Sequence, residues 1–474
     1  MVPGRPFMRK WRRARPEGRG RHKLPSLRSY RDFRLLWTGS AMSVMAERCS
    51  AMAFTLLVLW HTRSESAAGI VGFAGLLPSL LVQLPAGVLV DRLNRRRVMM
   101  TCVVVRMVAV ATVAVSLLGD RVWVWHIALV AFVQSSMTVF YQLSERAMVR
   151  GVVPPQQLGA AMATNEARSR GVNFVGHPAS GAMFGLSAWV PFLSSVTLYL
   201  FSLITLVRLR GERQPPRRPS GGRRMRTEVA AGLRWVWDRA YFRTALLIIA
   251  VSNLVFQGLI LTVAVVIRED GGAAGTIGLI MAAGGMGGLC GALSGGWLNR
   301  RLAMRQIMIL AHVTWAVVMP TAVFFRQAVA LGILFYITSF IGATVTVSGM
   351  SYQVRITPDD MQGRVGSVVM LLVSGASSLG ALGTGYLLEA VGSRRALMAL
   401  SAVMAVLALV AAVVFSRAGA AREDRADSTE PPDAAHTPPG PAASPAPDVP
   451  APASVADGTP ADPLTTLEAR RTDG

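Results

Sequence analysis

The sequence predicts an all-α membrane protein, with twelve transmembrane helices in two six-helix halves of related sequence. Three observations carry this. Charged residues make up 16% of the 474-residue chain and hydrophobic ones 52%, whereas a soluble domain carries about 25% charge. Apolar runs recur along most of the chain, each long enough for a helix to cross about 30 Å of hydrocarbon at 1.5 Å per residue. A short polar motif also recurs at the same place in both halves, as in transporters built from internal repeats.

The elements follow in order. Residues 1–31 are basic and irregular, with 11 Lys or Arg against one acid, Glu17. The apolar run after them is too long for the core of a signal peptide, and no cleavage pattern follows it promptly. They read as a cytosolic arm before a retained first span. The N-terminal half, residues 32–208, holds spans expected near 34–60, 69–90, 98–118, 123–144, 162–186 and 188–208, with Pro191 near the break between the last two. The C-terminal half, residues 243–416, holds spans near 243–267, 275–297, 304–325, 329–353, 366–388 and 395–416.

Between the halves, residues 209–242 form one long arginine-rich cytosolic loop. Within it Val229, Leu233 and Val236 recur at helical spacing beside Trp235 and Trp237, with Arg234 and Arg239 close by. That pattern fits a short helix on the membrane surface or an ordinary connecting helix. Residues 417–474 are rich in Pro and Ala, lack apolar periodicity and are expected to be a disordered cytosolic tail.

The formal charge is +23, and its placement decides its meaning. With the N-terminus inside, the inner loops carry Arg92, Arg95, Arg96, Arg97, Arg146, Arg150, Arg300, Arg301 and Arg305, besides the central loop. The outer loops carry Arg63, Arg121, Arg268, Arg326, Arg394 and Arg395, balanced by Glu65, Asp120, Glu269, Asp270 and Glu389. This is the positive-inside pattern of a multi-pass protein of the cell membrane with both termini cytoplasmic. It removes the need for a nucleic-acid partner.

Cys49, Cys102 and Cys290 are scattered and offer neither a disulfide framework nor a metal spacing. No HExxH, GxSxG or GxxxxGK[ST] pattern occurs, so no enzyme, cofactor or metal is expected. The expected partners are a small-molecule substrate and the lipid bilayer, and the expected state is a monomer.

The loop after span two contains Gly87, Asp91, Arg92, Asn94, Arg95, Arg96 and Arg97. The loop after span eight contains Gly295, Asn299, Arg300 and Arg301, with the same offset from Gly to the acid or amide and then to Arg. The first loop resembles the signature of the major facilitator superfamily, G-x-x-x-D-R-x-G-R-R, with Asn94 where the family usually has Gly. Asn tolerates a left-handed backbone, so the turn is expected to survive. Several stretches resemble the branch of the enterobactin exporter and related efflux proteins: FRLLWTGSAMSVMAE, LLPSLLVQLPAGVLVDRLNRRRVMM, VVPPQQLGAAMATNEAR and TPDDMQGRVGSV. In span five, Gly176, Pro178 and Gly181 resemble a helix-bending motif associated with antiporters, with His177 inserted in the pattern.

The resemblance implies secondary active transport by alternating access, in the direction of export, driven by the proton gradient. The substrate would be a drug, siderophore or secondary metabolite. An importer on the same fold and a transport-dead sensor or scaffold are the alternatives. The resemblance also implies that Asp91 docks near Gly363 and Arg364, at the start of span eleven, when the protein is open to the outside. A carboxylate there would meet the positive end of a helix, a contact made in one state and broken in the other.

Inside the spans, ionisable residues are costly and point to function. Glu47 and Arg48 lie midway along span one, and Arg106 lies in span three. Glu47 is a candidate proton-coupling carboxylate. The alternative is a structural pair with Arg48 or Arg106. Asn253 and Gln257 share one face of span seven, and Gln83 and Gln134 are single polar positions. All four are candidates to line a central cavity or to bond between helices. The run Gly284 to Gly291 reads as close helix packing rather than a phosphate loop.

Overall fold

The computed structural model describes residues 27–119, 121–209, 225–358 and 361–427. Its helices are α1 Arg31–Thr62, α2 Glu65–Leu81, α3 Gln83–Arg92, α4 Arg95–Leu118, α5 Val124–Val152, α6 Leu158–Leu186 and α7 Val190–Arg208. They continue as α8 Met225–Trp237, α9 Ala240–Glu269, α10 Ala274–Arg301, α11 Met304–Val318, α12 Thr321–Phe324, α13 Ala328–Ile356 and α14 Gln362–Asp427. The described residues contain no strand. The N-terminal arm before Leu27 and the tail after Asp427 lie outside the described residues, and residues 417–427, expected to belong to the disordered tail, are instead helical as the end of α14.

Length and apolarity alone do not reach the expected twelve. Among the described residues, 9 helices satisfy both. The difference lies in three places. Span two is split at Val82 into α2 and α3, after Pro78 removes a donor from the last turn of α2. Span five, α6, is too polar along its length to count. Spans eleven and twelve run together as α14, whose one non-helical residue is Gly392, at φ 80°. That left-handed backbone suits glycine and lies in the gap where the sequence places a turn.

Caps set several boundaries. The Ser64 hydroxyl accepts from the Ala67 amide at 3.2 Å and starts α2. The Asn94 carboxamide oxygen accepts from the Arg97 amide at 3.0 Å and starts α4. Asn94 has φ −68° and ψ 112°, so the left-handed turn expected there is not formed. Asparagine serves as an N-cap instead.

Large apolar side chains such as Trp125, Leu186 and Leu293 face outward, as lipid contact requires. Inside, α10 and α13 approach until their backbones touch. Gly287 faces the Tyr336 carbonyl and Gly291 the Phe340 carbonyl, with no room for a Cβ at either. Gly284 and Gly295 extend the stripe against Ser339 and Val347. The glycine run is therefore a helix-packing surface.

Candidate functional site

The signature loop is built by the end of α3 and the start of α4. Arg96 reaches across to the end of α7, donating to the carbonyls of Leu206 and Val207 at 3.0 and 2.7 Å. It satisfies carbonyls that a helix end leaves unpaired. The side chains of Asp91 and Arg92 lie outside the described residues, and Arg95 is partnered within the structure. A Cβ added at Gly87 or Gly363 would meet nothing within 4 Å.

The start of α14 does have a neighbour, which is the connecting helix α8. A Cβ on Gly232 would lie 2.8 Å from the Arg364 carbonyl. Trp235 and Val236 bury themselves with Phe242, Leu246, Val365 and Val368. Arg239 stacks on Trp235 at 3.9 Å, while Leu233 and Trp237 stay exposed on the other side. The loop helix thus docks on the protein with one face and offers the other outward.

The ionisable residues of the N-terminal half do not form the pair the sequence allows between Glu47 and Arg106. Arg106 is fully buried. It donates to Ser43 at 2.7 Å, to Thr138 at 3.4 Å and to the Cys102 carbonyl at 3.2 Å. Its guanidinium also lies over the rings of Tyr141 and Tyr199 at 4.7 and 4.9 Å. Hydroxyls and aromatic faces compensate this charge, and among the described residues no carboxylate contacts it.

Glu47 stands one turn beyond Ser43 on α1. Its Oε1 is 4.0 Å from Arg48, while its Oε2 is buried without a partner. Arg48 spends its shorter bond on Asn173 of α6, at 2.6 Å. One oxygen of a carboxylate inside a span is thus left without a hydrogen bond.

Gly176 on α6 lets Arg48 pass: a Cβ there would lie 2.6 Å from the Arg48 Cβ. Further along α6, Gly181 abuts Gly278 of α10, and a Cβ on Gly278 would lie 2.9 Å from the Gly181 Cα and 3.0 Å from the Pro178 carbonyl. Pro178 and Gly181 therefore lie where the halves touch, while Gly176 faces α1. The halves also meet between α2 and α14, where a Cβ on Gly69 would lie 2.9 Å from the Gly385 Cα. Arg268, at the end of α9, ion-pairs with Glu65 at the start of α2. It also donates to the Leu59 carbonyl of α1 at 3.0 Å. These contacts close the arginine-poor end of the bundle.

Two cavities lie behind that closure and share Ser339. One, of about 390 Å³, is lined by Asn173, Phe174, Met281, Phe335 and neighbouring glycines. The other, of about 290 Å³, is lined by Ser252, Asn253, Phe256, Trp315 and Thr346 among others. Of the cavity candidates, Asn253 lines a cavity. Gln257 and Gln83 are partly buried and are absent from both linings. Gln134 exchanges hydrogen bonds with Ser50 of α1 at 2.9 and 3.1 Å, an interhelical clamp.

Sequence reasoning missed two features. Arg168 of α6 donates to Glu145 of α5 at 2.6 Å and to the Trp37 carbonyl of α1 at 3.3 Å, and both charges are buried. Glu145 was placed one residue beyond the expected end of span four, which hid it. His312 of α11 is fully buried. Being an ionisable residue inside a span was signal enough to find it.

Comparison with known proteins adds a family. The model described as transmembrane secretion effector matches residues 25–439. The multidrug efflux pump Tap of Mycolicibacterium fortuitum is 28% identical over 373 residues, covering 74% of this chain and 87% of that protein. The Tap pump of Mycobacterium tuberculosis is 27% identical over 385 residues, covering 77% and 89%. Macrolide efflux protein A of Streptococcus pyogenes is 24% identical over 157 residues, covering 33% and 38%.

Among solved structures, the nucleoside transporter NupG matches with TM-score 0.70 at 12% identity, covering 81% of this chain and 100% of that one. A bacterial homolog of the human lysosomal transporter Spinster matches with TM-score 0.67 at 14% identity, covering 82% and 96%.

Proposed function

The chain belongs to the transmembrane secretion effector family of the major facilitator superfamily, a transporter and not an enzyme, and from that premise we propose that it exports small amphipathic molecules in exchange for protons. One observation carries the reading. The larger cavity lies between the halves and the smaller within the C-terminal half; both are mostly apolar and aromatic with a few polar groups, and the larger is bordered by Asn173, the partner of Arg48. Such a lining suits a drug-sized amphipathic ligand. The relatives named as multidrug and macrolide efflux proteins support the same class. A siderophore or secondary metabolite of similar size and polarity falls within it.

In this reading the arginine-rich loops face the cytosol, both termini are cytoplasmic, and the closed arginine-poor end faces outward. Substrate enters from the cytosolic side, and the halves rock about the mid-membrane cavities. Glu47 carries the coupling proton. Its Oε2 is the oxygen left without a partner, and its Oε1 lies 4.0 Å from Arg48. The antiport direction follows from a proton entering from outside as substrate leaves.

The test uses the purified full chain in proteoliposomes with a pH difference and ethidium as the probe. Wild type should accumulate the dye against its gradient. Glu47→Gln should abolish accumulation while downhill dye exchange persists. Accumulation by Glu47→Gln equal to wild type would remove Glu47 from coupling, and transport of opposite polarity would make the protein an importer.

A further inference from the structure

One buried ionisable side chain on α11 has no part in the reading above. His312 is bonded at both ring nitrogens: Nδ1 lies 2.7 Å from the Met308 carbonyl and Nε2 lies 3.0 Å from the Ser252 hydroxyl. Its ring meets Trp315 edge to face at 5.0 Å. A carbonyl only accepts, so Nδ1 carries hydrogen whether the imidazole is neutral or charged. Nε2 is then the atom that gains or loses a proton.

Ser252 makes both states satisfiable. Its hydroxyl has one hydrogen and two neighbours, Nε2 of His312 and the Ile248 carbonyl at 2.8 Å. When His312 is neutral, the hydroxyl donates to Nε2. When His312 is charged, Nε2 donates to the serine oxygen and the hydroxyl hydrogen turns to Ile248. The change of state needs one hydroxyl rotation and leaves no buried polar atom unpaired. Ser252 also lines the smaller cavity, so it connects the ring to the space the substrate would occupy.

The N-terminal half holds the same constellation with a permanent charge. Arg106, on the third span of that half, bonds the carbonyl one turn back, Cys102, and a serine of the first span, Ser43. His312, on the third span of its half, bonds the carbonyl one turn back, Met308, and a serine of the first span, Ser252. Ser43 and Ser252 stand at the same offset from the first residues of α1 and α9. On its third span one half keeps a fixed cation bonded to that serine, and the other keeps a titratable group in the same bonding pattern.

We propose that His312, relayed to the cavity through Ser252, is a proton-binding site of the C-terminal half, the titratable counterpart of Arg106, whose proton is carried in the transport cycle. This rests on the export reading. Among the described residues, the elements around the ring bring no second charge into contact with it. The charged groups of α9 are Arg243, Arg268 and Glu269, that of α11 is Arg305 and that of α13 is Arg355, all towards helix ends. Tyr336 of α13 faces Cys290 of α10 rather than the ring, and Tyr352 meets Tyr241 of α9. On α14, which packs against α9 through Thr384 and Leu400, Arg364, Tyr386, Glu389, Arg394 and Arg395 make no bond to His312.

The direct test is nitrogen NMR of the full chain, labelled at histidine, in lipid nanodiscs. The signal missing from His312→Gln identifies the ring. It should pass from the neutral form with hydrogen on Nδ1 to the doubly protonated form as the pH is lowered through and below the physiological range. Ser252→Ala should move that transition. A ring that stays in one form across the range overturns the proposal.

A second readout, in proteoliposomes with ethidium, separates coupling from folding. His312→Gln should lower pH-driven accumulation about fivefold or more while downhill exchange stays near wild type. An equal loss of both would make His312 structural and overturn its transport role. If wild type itself fails to accumulate the dye, the export reading falls with that role, and the NMR titration still decides whether the site binds a proton.

Discussion

Gly278→Ala is the sharpest probe of the closed end. In the structure the new Cβ would lie 2.9 Å from the Gly181 Cα and 3.0 Å from the Pro178 carbonyl. Carbon atoms rest about 3.5–4.0 Å apart, so α10 and α6 must separate by roughly 0.6–1 Å. The obstacle is backbone, which has no rotamer to yield. Forcing an extra methyl group into packed structure costs about 1–3 kcal/mol. If the cost falls only on the state in which these helices touch, the population of that state drops about 5- to 150-fold relative to the other.

The assay is thiol labelling in a background without Cys49, Cys102 and Cys290. A cysteine replacing Met281, which lines the larger cavity, is labelled from outside with a membrane-impermeant reagent. Gly278→Ala should speed that labelling about tenfold. Gly288→Ala is the control, because its Cβ would meet nothing within 4 Å. Equal labelling rates in wild type and Gly278→Ala, at equal yield, would refute the reasoning.

Arg268→Gln leaves Glu65 without its partner across the halves, and should favour the outward-open state by about 1–3 kcal/mol, between the exposed and buried limits for ion pairs. The same labelling assay reads it, and high salt should shrink the difference between variant and wild type. Arg168→Gln strands the buried Glu145 and should lower unfolding stability by about 3–5 kcal/mol. Adding Glu145→Gln should restore part of the loss, measured as the melting temperature in detergent. Asp91→Asn should insert normally yet slow transport, with faster labelling of a cysteine at Gly366; unchanged labelling and transport together would leave the signature loop with a topological role alone.

The crossing helices and their division into halves were legible because bilayer thickness fixes the length of an apolar run. Polar residues that bond across space were not, because their partners lie far away in sequence. Gln134 reads as a single polar position until Ser50 appears opposite it. Glu47 and Arg106 sit in spans one and three, yet Ser43 and two tyrosines claim the arginine instead. Asn94 was legible as a departure from the family pattern, but its purpose was misjudged. Spacing marks a turn, while the bond to the Arg97 amide decides its type. The docking of α8 depends on which of its two faces meets α14, a choice that amphipathic spacing leaves open.

The two glycine seams of α10 also give the helix a mechanical character. Along one seam it packs on α13 from Gly284 to Gly295, with backbone contact at Gly287 and Gly291. On the other it meets α6 from Gly275 to Gly285, and the two backbones come closest at Gly278, near one end. A body held most tightly near one end behaves as a lever about that point. At 1.5 Å per residue, Arg301 lies roughly 35 Å from that fulcrum. A swing of about 15°, similar to known subunit rotations, would carry Arg301 and the attached end of α13 some 9 Å sideways while the hinge point barely moved. A spin label on Arg301 should therefore report the cycle with far more range than one beside Gly278.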